Sequence, residues 1–193
     1  VTRPDDEASD AVDRLRRRVL WAMPTGLYVV GSRAGDQRNL MTANWVVQVA
    51  TTPKLVAVGI EADSVTRSLV EEGGRFSVSL LARSDRALVR RFVKPVRAVD
   101  VGPSGAAVAM QGEPVREVAG GLPVLGAAVA WLACEVRSVV GWDGLVAPGG
   151  APSHVLAVGE VTEVGVSERF DGLGDGTDAG ILSMDDTRMS YGG

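Results

Sequence analysis

The stretch NLMTANWVVQVATTPKLVAVGIEADSVTR, residues 39–67, reads as a polar-entry strand, a turn, an apolar strand and a helix start. The first strand is expected over residues 40–49, and Thr51-Thr52-Pro53 breaks it. Residues 55–60 are almost all apolar, the pattern of a strand buried on both faces. Residues 64–72 suit a short helix with Ser64 as N-cap, closed by Gly73-Gly74. Such a segment can hold a flat ring at one end and a phosphate at the other.

The chemistry follows from residue type and spacing. Strand alternation puts Thr42 and Asn44 on one face, Ala43 and Trp45 on the other. Thr42 and Asn44 can offer hydroxyl, amide and backbone donors to a polar ring edge, and Trp45 an apolar wall. A half-exposed strand with a core tryptophan explains the same residues without a ligand. At the helix start, free N–H groups and a partial positive charge attract phosphate, and Ser64, Thr66 and Arg67 add donors. An ordinary capped helix with a surface arginine explains these residues without a ligand, though an arginine in a first turn opposes the helix dipole unless an anion sits there.

Outward from this stretch, residues 10–23 have helical spacing, with Val12, Leu15, Val19 and Leu20 on one side and Asp10 as N-cap. A strand follows at 27–32, and Ala34-Gly35-Asp36-Gln37 turns it into a hairpin. Residues 76–81 alternate as a strand. Residues 84–93 read as a helix with Leu88, Val89 and Phe92 inward. The segment 97–123 is rich in Gly and Pro and reads as irregular. Strands then pass Trp131 and Cys134 and run through 155–166. Six or seven strands with three short helices predict a mainly β fold with short helices, a small barrel rather than a doubly wound sheet. Residues 1–22 are expected as a tail and helix packing on the barrel, and residues 23–193 as the barrel domain.

Composition excludes several classes. The 193 residues are 46% hydrophobic, sufficient for a core in one domain. Net charge is −4, against a nucleic-acid face, and the basic run Arg14, Arg16, Arg17, Arg18 fits a solvated helix face. No apolar run approaches the ~20 residues of a spanning helix, and residues 1–10 do not read as a signal peptide. One cysteine, Cys134, excludes an internal disulfide and fits a reducing cytoplasm. One histidine and one cysteine exclude most metal sites. The acidic, Gly-rich run at 171–178 lacks the glutamate of a calcium loop and reads as a turn region. No GxGxxG, P-loop or GxSxG occurs. His154, preceded by Pro152-Ser153, looks like a strand entry rather than part of a hydrolytic triad.

Taken in order, these pieces resemble the flavin reductase family with the FMN-binding split β-barrel. MPTGLYVVGSR resembles its first strand, NLMTANWVVQVATTPKLVAVGI its most typical block, and SVTRSLVEEGGRFSVSLL the following helix and strand. RALVRRFV, GLPVLGAAVAWLACEV and HVLAVGEV are similar to later elements. The resemblance implies an NAD(P)H-dependent flavin reductase, a homodimer with FMN near the subunit interface and NADH or NADPH as reductant. It also implies a flavin-dependent monooxygenase as a candidate partner. FMN contacts carry over to Thr42, Ala43, Asn44, Trp45, Val49, Ala50 and Thr51, and at the phosphate to Ser64, Thr66 and Arg67. His154 matches a histidine near the nicotinamide or flavin edge and is the candidate catalytic residue. The family's usual Gly-Asp before it is Pro152-Ser153 here. An FMN electron carrier on the same fold, or a barrel holding haem or a deazaflavin, stays open.

Overall fold

The computed structural model describes residues 4–141, 150–170 and 180–187. The turn region expected at 171–178 and the chain beyond 187 lie outside them. The architecture is mainly β with short helices. Seven antiparallel strands form one sheet in the order β2-β1-β5-β10-β11-β4-β3. Its strands are β1 (Tyr28–Ala34), β2 (Gln37–Ala43), β3 (Val46–Thr51), β4 (Lys54–Glu61), β5 (Arg75–Leu80), β10 (Ala130–Val140) and β11 (His154–Val166).

Chain connectivity forces this sheet to curl. β2 and β3 are its two edges, yet only Asn44 and Trp45 separate them in sequence. Seven flat strands would put the edges about 29 Å apart at ~4.8 Å per neighbour. The three peptide steps from Ala43 to Val46 reach at most about 11 Å. The sheet must therefore bend into a barrel whose edges face each other without pairing. Register shifts in β10 at Ala133/Cys134 and Val136/Ser138 supply part of the curvature.

The single strand expected over 40–49 is thus two strands on opposite edges, broken by a bend at Asn44. Asn44 and Trp45 lie outside any strand, so the proposed face sharing of Thr42 with Asn44 does not hold. The segment expected to be irregular forms a second sheet of four short strands: β6 (Val99–Val101), β7 (Ala107–Met110), β8 (Glu113–Val118) and β9 (Leu122–Leu125). Its strands are three to six residues long, too short for alternation to show. Its turns use left-handed backbone at Gly105, Gln111, Gly112 and Ala119 to Gly121. The described residues hold eleven strands rather than six or seven.

Two cores lie on opposite faces of β1, whose residues alternate between them. Val30, Val58, Ile60, Phe76, Val78 and Cys134 fill the barrel. Val29, Leu40, Phe92, Met110 and Leu125 pack between the barrel and the second sheet. Helix α2 (Val65–Gly73) adds Val70 to the barrel core. It is capped at Ser64 and closed by a left-handed Gly74, as its sequence requires. The helix expected at 84–93 is two short 3-10 turns, Arg83–Asp85 and Leu88–Phe92, with Val89 and Phe92 inward. Helix α1 (Pro4–Trp21) starts before Asp10, which is therefore not its N-cap. Val12, Leu15, Val19 and Leu20, the stripe expected against the barrel, stay 48–61% exposed among the described residues.

Candidate functional site

The chain crosses from one sheet edge to the other at Asn44-Trp45, and the candidate site forms there. A cavity of about 70 Å³ is lined by Met41, Thr42, Ala43, Asn44, Trp45, Gly59, Glu61, Val93 and His154. The Trp45 carbonyl accepts the Gly59 N–H at 2.8 Å. The indole lies over Gly59, where a Cβ would come within 3.0 Å of the ring. The His154 ring meets Trp45 edge to face, centroids 4.7 Å apart at 62°. His154 opens β11 opposite Glu61 of β4, and its Nδ1 lies 3.0 Å from Ser153 Oγ. The Ser153 carbonyl accepts the Ala62 N–H at 2.9 Å, fixing this strand entry.

The expected ring-end residues play different parts. Thr42 is buried on the cavity wall and donates its hydroxyl to the Val89 carbonyl at 2.5 Å, so that proton is committed to the fold. The Asn44 amide makes no hydrogen bond among the described residues. It is an unengaged polar group on the cavity wall, with donors and an acceptor to offer. Val49, Ala50 and Thr51 run along β3 toward the turn and do not line this cavity. A second, mostly apolar cavity of about 290 Å³ opens beside β3, lined by residues including Tyr28, Val46, Gln48, Leu55, Leu132 and Val161.

The expected phosphate end lies at the start of α2, outside the Trp45 cavity but joined to it. Ser64 donates its hydroxyl to the carbonyl of Glu61, a cavity residue, at 2.8 Å. The same hydroxyl accepts the Arg67 N–H at 3.1 Å. The Val65 and Thr66 amides start the helix and have no intrahelical acceptor. Arg67 donates Nε to Glu71 at 3.0 Å and Nη1 to the Ala62 carbonyl at 2.9 Å, which aims the guanidinium along the helix start. Thr66 is different: its hydroxyl is buried and accepts the Asn39 amide at 2.9 Å. Its side chain therefore cannot reach a ligand, and only its backbone N–H can. No acidic residue occupies the first turn of α2. Two amides and an arginine whose Nη2 has no partner among the described residues suit a phosphate. At the ring end, the open Asn44 amide and the half-exposed indole suit a planar heterocycle.

Met41, Gly59, Glu61 and Val93 were not singled out from sequence. Gly59 did carry a signal, since an isolated glycine inside an apolar strand marks a close approach. The other three are ordinary residues brought together by the curl of the sheet. Among the described residues, no group of three or more His, Cys, Asp or Glu side chains can hold a metal. Among them also, no helix is long and apolar enough to cross a membrane.

Residues 20–178 match the family model described as flavin reductase like domain. The NADH-dependent flavin reductase StyB of Pseudomonas fluorescens is 28% identical over 169 residues, 87% of each chain. The putative diflavin flavoprotein A 3 of Nostoc sp. is 29% identical over 122 residues, 63% of this chain and 20% of that protein. The chain thus spans about a fifth of the length of the diflavin flavoproteins it matches. The solved styrene monooxygenase flavin reductase (SMOB) from Pseudomonas putida S12 superposes with a TM-score of 0.58 at 29% identity. That alignment covers 79% of this chain and 87% of the other.

Proposed function

Because the chain belongs to the flavin reductase-like domain family, we propose that it is an FMN-binding oxidoreductase that takes hydride from NADH or NADPH. The observation that carries this reading is the meeting of Asn44, Trp45 and His154 at the split between β2 and β3. When bound, FMN supplies the hydride-accepting chemistry. The chain's own residues bind, orient and exclude water. Asn44 hydrogen-bonds the polar ring edge, Trp45 walls the ring, and the Val65 and Thr66 amides with Arg67 take the phosphate. Ser64 holds that helix start to Glu61 at the cavity rim. His154, fixed by Trp45 and Ser153, positions the second ring. Holding two reactants in register is the main catalytic task in such a site.

The proposal includes a homodimer built on the β3 flank, with Val49, Ala50 and Thr51 reaching flavin near the interface. β3 is an edge strand with Val47 and Val49 more than half exposed, beside the apolar cavity. A long apolar edge of this kind is normally covered. A flavin-dependent monooxygenase in the cytoplasm would consume the reduced flavin. The SMOB structure is named as the flavin reductase of a styrene monooxygenase, and StyB as an NADH-dependent flavin reductase. A second reading, an FMN electron carrier with slow nicotinamide oxidation, fits the matches to proteins named diflavin flavoprotein.

The deciding experiment is a visible-absorbance titration with FMN, followed by anaerobic mixing with NADH or NADPH. Binding with rapid bleaching of the flavin band is expected. Binding without bleaching selects the electron carrier, and no binding removes the flavin function.

A further inference from the structure

Asn39 sits on edge strand β2 with its side chain buried. Its Nδ2 donates to the Thr66 hydroxyl at 2.9 Å, and its Oδ1 accepts the Val96 N–H at 2.9 Å. Thr66 lies in the first turn of α2, where the phosphate end is proposed. Val96 lies three residues beyond Val93, a wall of the Trp45 cavity. The backbone around Val96 belongs to no helix or strand, so its N–H has no ladder partner and depends on this side chain. Thr42 holds the same segment at its other end through the Val89 carbonyl. A single amide group therefore ties both ends of the candidate site to one strand.

We infer that Asn39 is a positioning residue that sets the phosphate end and the ring end of the flavin site relative to each other. The inference rests on the proposed function. Residue type supports it. The task needs a donor toward Thr66 and an acceptor toward Val96 on one short planar group, which a carboxamide provides. Aspartate lacks the donor when ionised, and leucine lacks both. Either loss strands a buried polar group, and the backbone that carried the partner is then free to shift.

The two arms can be cut separately. Thr66→Val keeps the shape and removes only the acceptor facing Asn39. Asn39→Ala cuts both arms. The probes are FMN and riboflavin, which share the ring and differ in the phosphate, each titrated by flavin fluorescence against the full chain. Thr66→Val is expected to weaken FMN at least ten-fold and riboflavin less than two-fold, with Thr66→Ser restoring FMN. Asn39→Ala is expected to weaken both. Equal losses for both flavins in Thr66→Val, or no loss in either variant, overturn the inference while leaving flavin binding by the unaltered chain intact. Should the variants not fold, hydrogen exchange on the unaltered chain decides. FMN is expected to slow exchange both at residues 65–67 and at Val96, and protection at the first without the second overturns the coupling. Failure of the unaltered chain to bind either flavin overturns the proposed function and this inference with it.

Discussion

The indole of Trp45 and the imidazole of His154 meet edge to face 4.7 Å apart, although 109 positions separate them in sequence (154 − 45). Each is held from behind. Trp45 rests on Gly59, and His154 opens a strand pinned opposite Glu61. Truncating Trp45 to Ala is expected to weaken FMN binding by about 1 kcal/mol, the scale of an aromatic contact. Trp45→Phe should keep most of the affinity. Isothermal titration of both variants checks this, and equal affinity for all three proteins would remove Trp45 from the site.

Arg67→Ala is expected to weaken FMN binding by about 1–3 kcal/mol, the range for a charge-assisted hydrogen bond. Riboflavin should be bound almost as before. Glu71 and the Ala62 carbonyl already hold the guanidinium in place. Glu71→Gln should therefore cost less than Arg67→Ala. Unchanged FMN affinity in Arg67→Ala sinks the phosphate assignment.

Glu117 joins the second sheet to the barrel. Its carboxylate accepts from Arg38 Nε at 2.5 Å, from Arg33 Nη1 at 3.0 Å and from the Ala107 N–H at 2.8 Å. Burial pushes its pKa up, but the Ala107 N–H and the Arg38 and Arg33 guanidinium groups together hold it below the ordinary 4.5. A depressed carboxylate stabilises the fold above its unfolded pKa, and that stabilisation is lost as pH falls through the folded value. Glu117→Gln is expected to cost about 3 kcal/mol near neutral pH by leaving two guanidinium groups uncompensated. The gap in Tm between the two proteins should close as the pH is lowered below 4.5. A gap that stays constant with pH contradicts this account.

Gly159 lies on β11 against the barrel core. A Cβ there would fall 2.6 Å from the Phe76 ring and 2.7 Å from the Cys134 Cβ. Gly159→Ala should destabilise the fold by about 1–3 kcal/mol through overpacking. Urea unfolding measures it, and a neutral result means the core gives way more readily than its packing suggests.

Cys134 faces the same core, and burial pushes its thiol up to about 12. Reactivity requires thiolate. The folded chain should therefore resist a thiol reagent at about pH 8 and be labelled at once on unfolding. Labelling of the native protein at the free-cysteine rate would show that the barrel opens.

Elements whose causes are local were legible in the order of residues alone. Ser64 and Gly74 bound α2 because a hydroxyl caps free N–H groups and a glycine tolerates the left-handed exit. Gly35 turns the β1–β2 hairpin for the same conformational reason. The ordered motifs also pointed to the family that matches residues 20–178. Tertiary structure decided what depends on distant partners. The break at Asn44 splits the run 40–49 into two strands because two edges of a curled sheet must be bridged by two residues. Thr66 and Thr42 looked like ligand donors in sequence, yet their hydroxyls are engaged by Asn39 and Val89. A side-chain donor reads the same in sequence whether it faces solvent or a buried partner. Only the fold, by choosing which groups lose water and must pair inside, separates the residues that hold the site from those that line it.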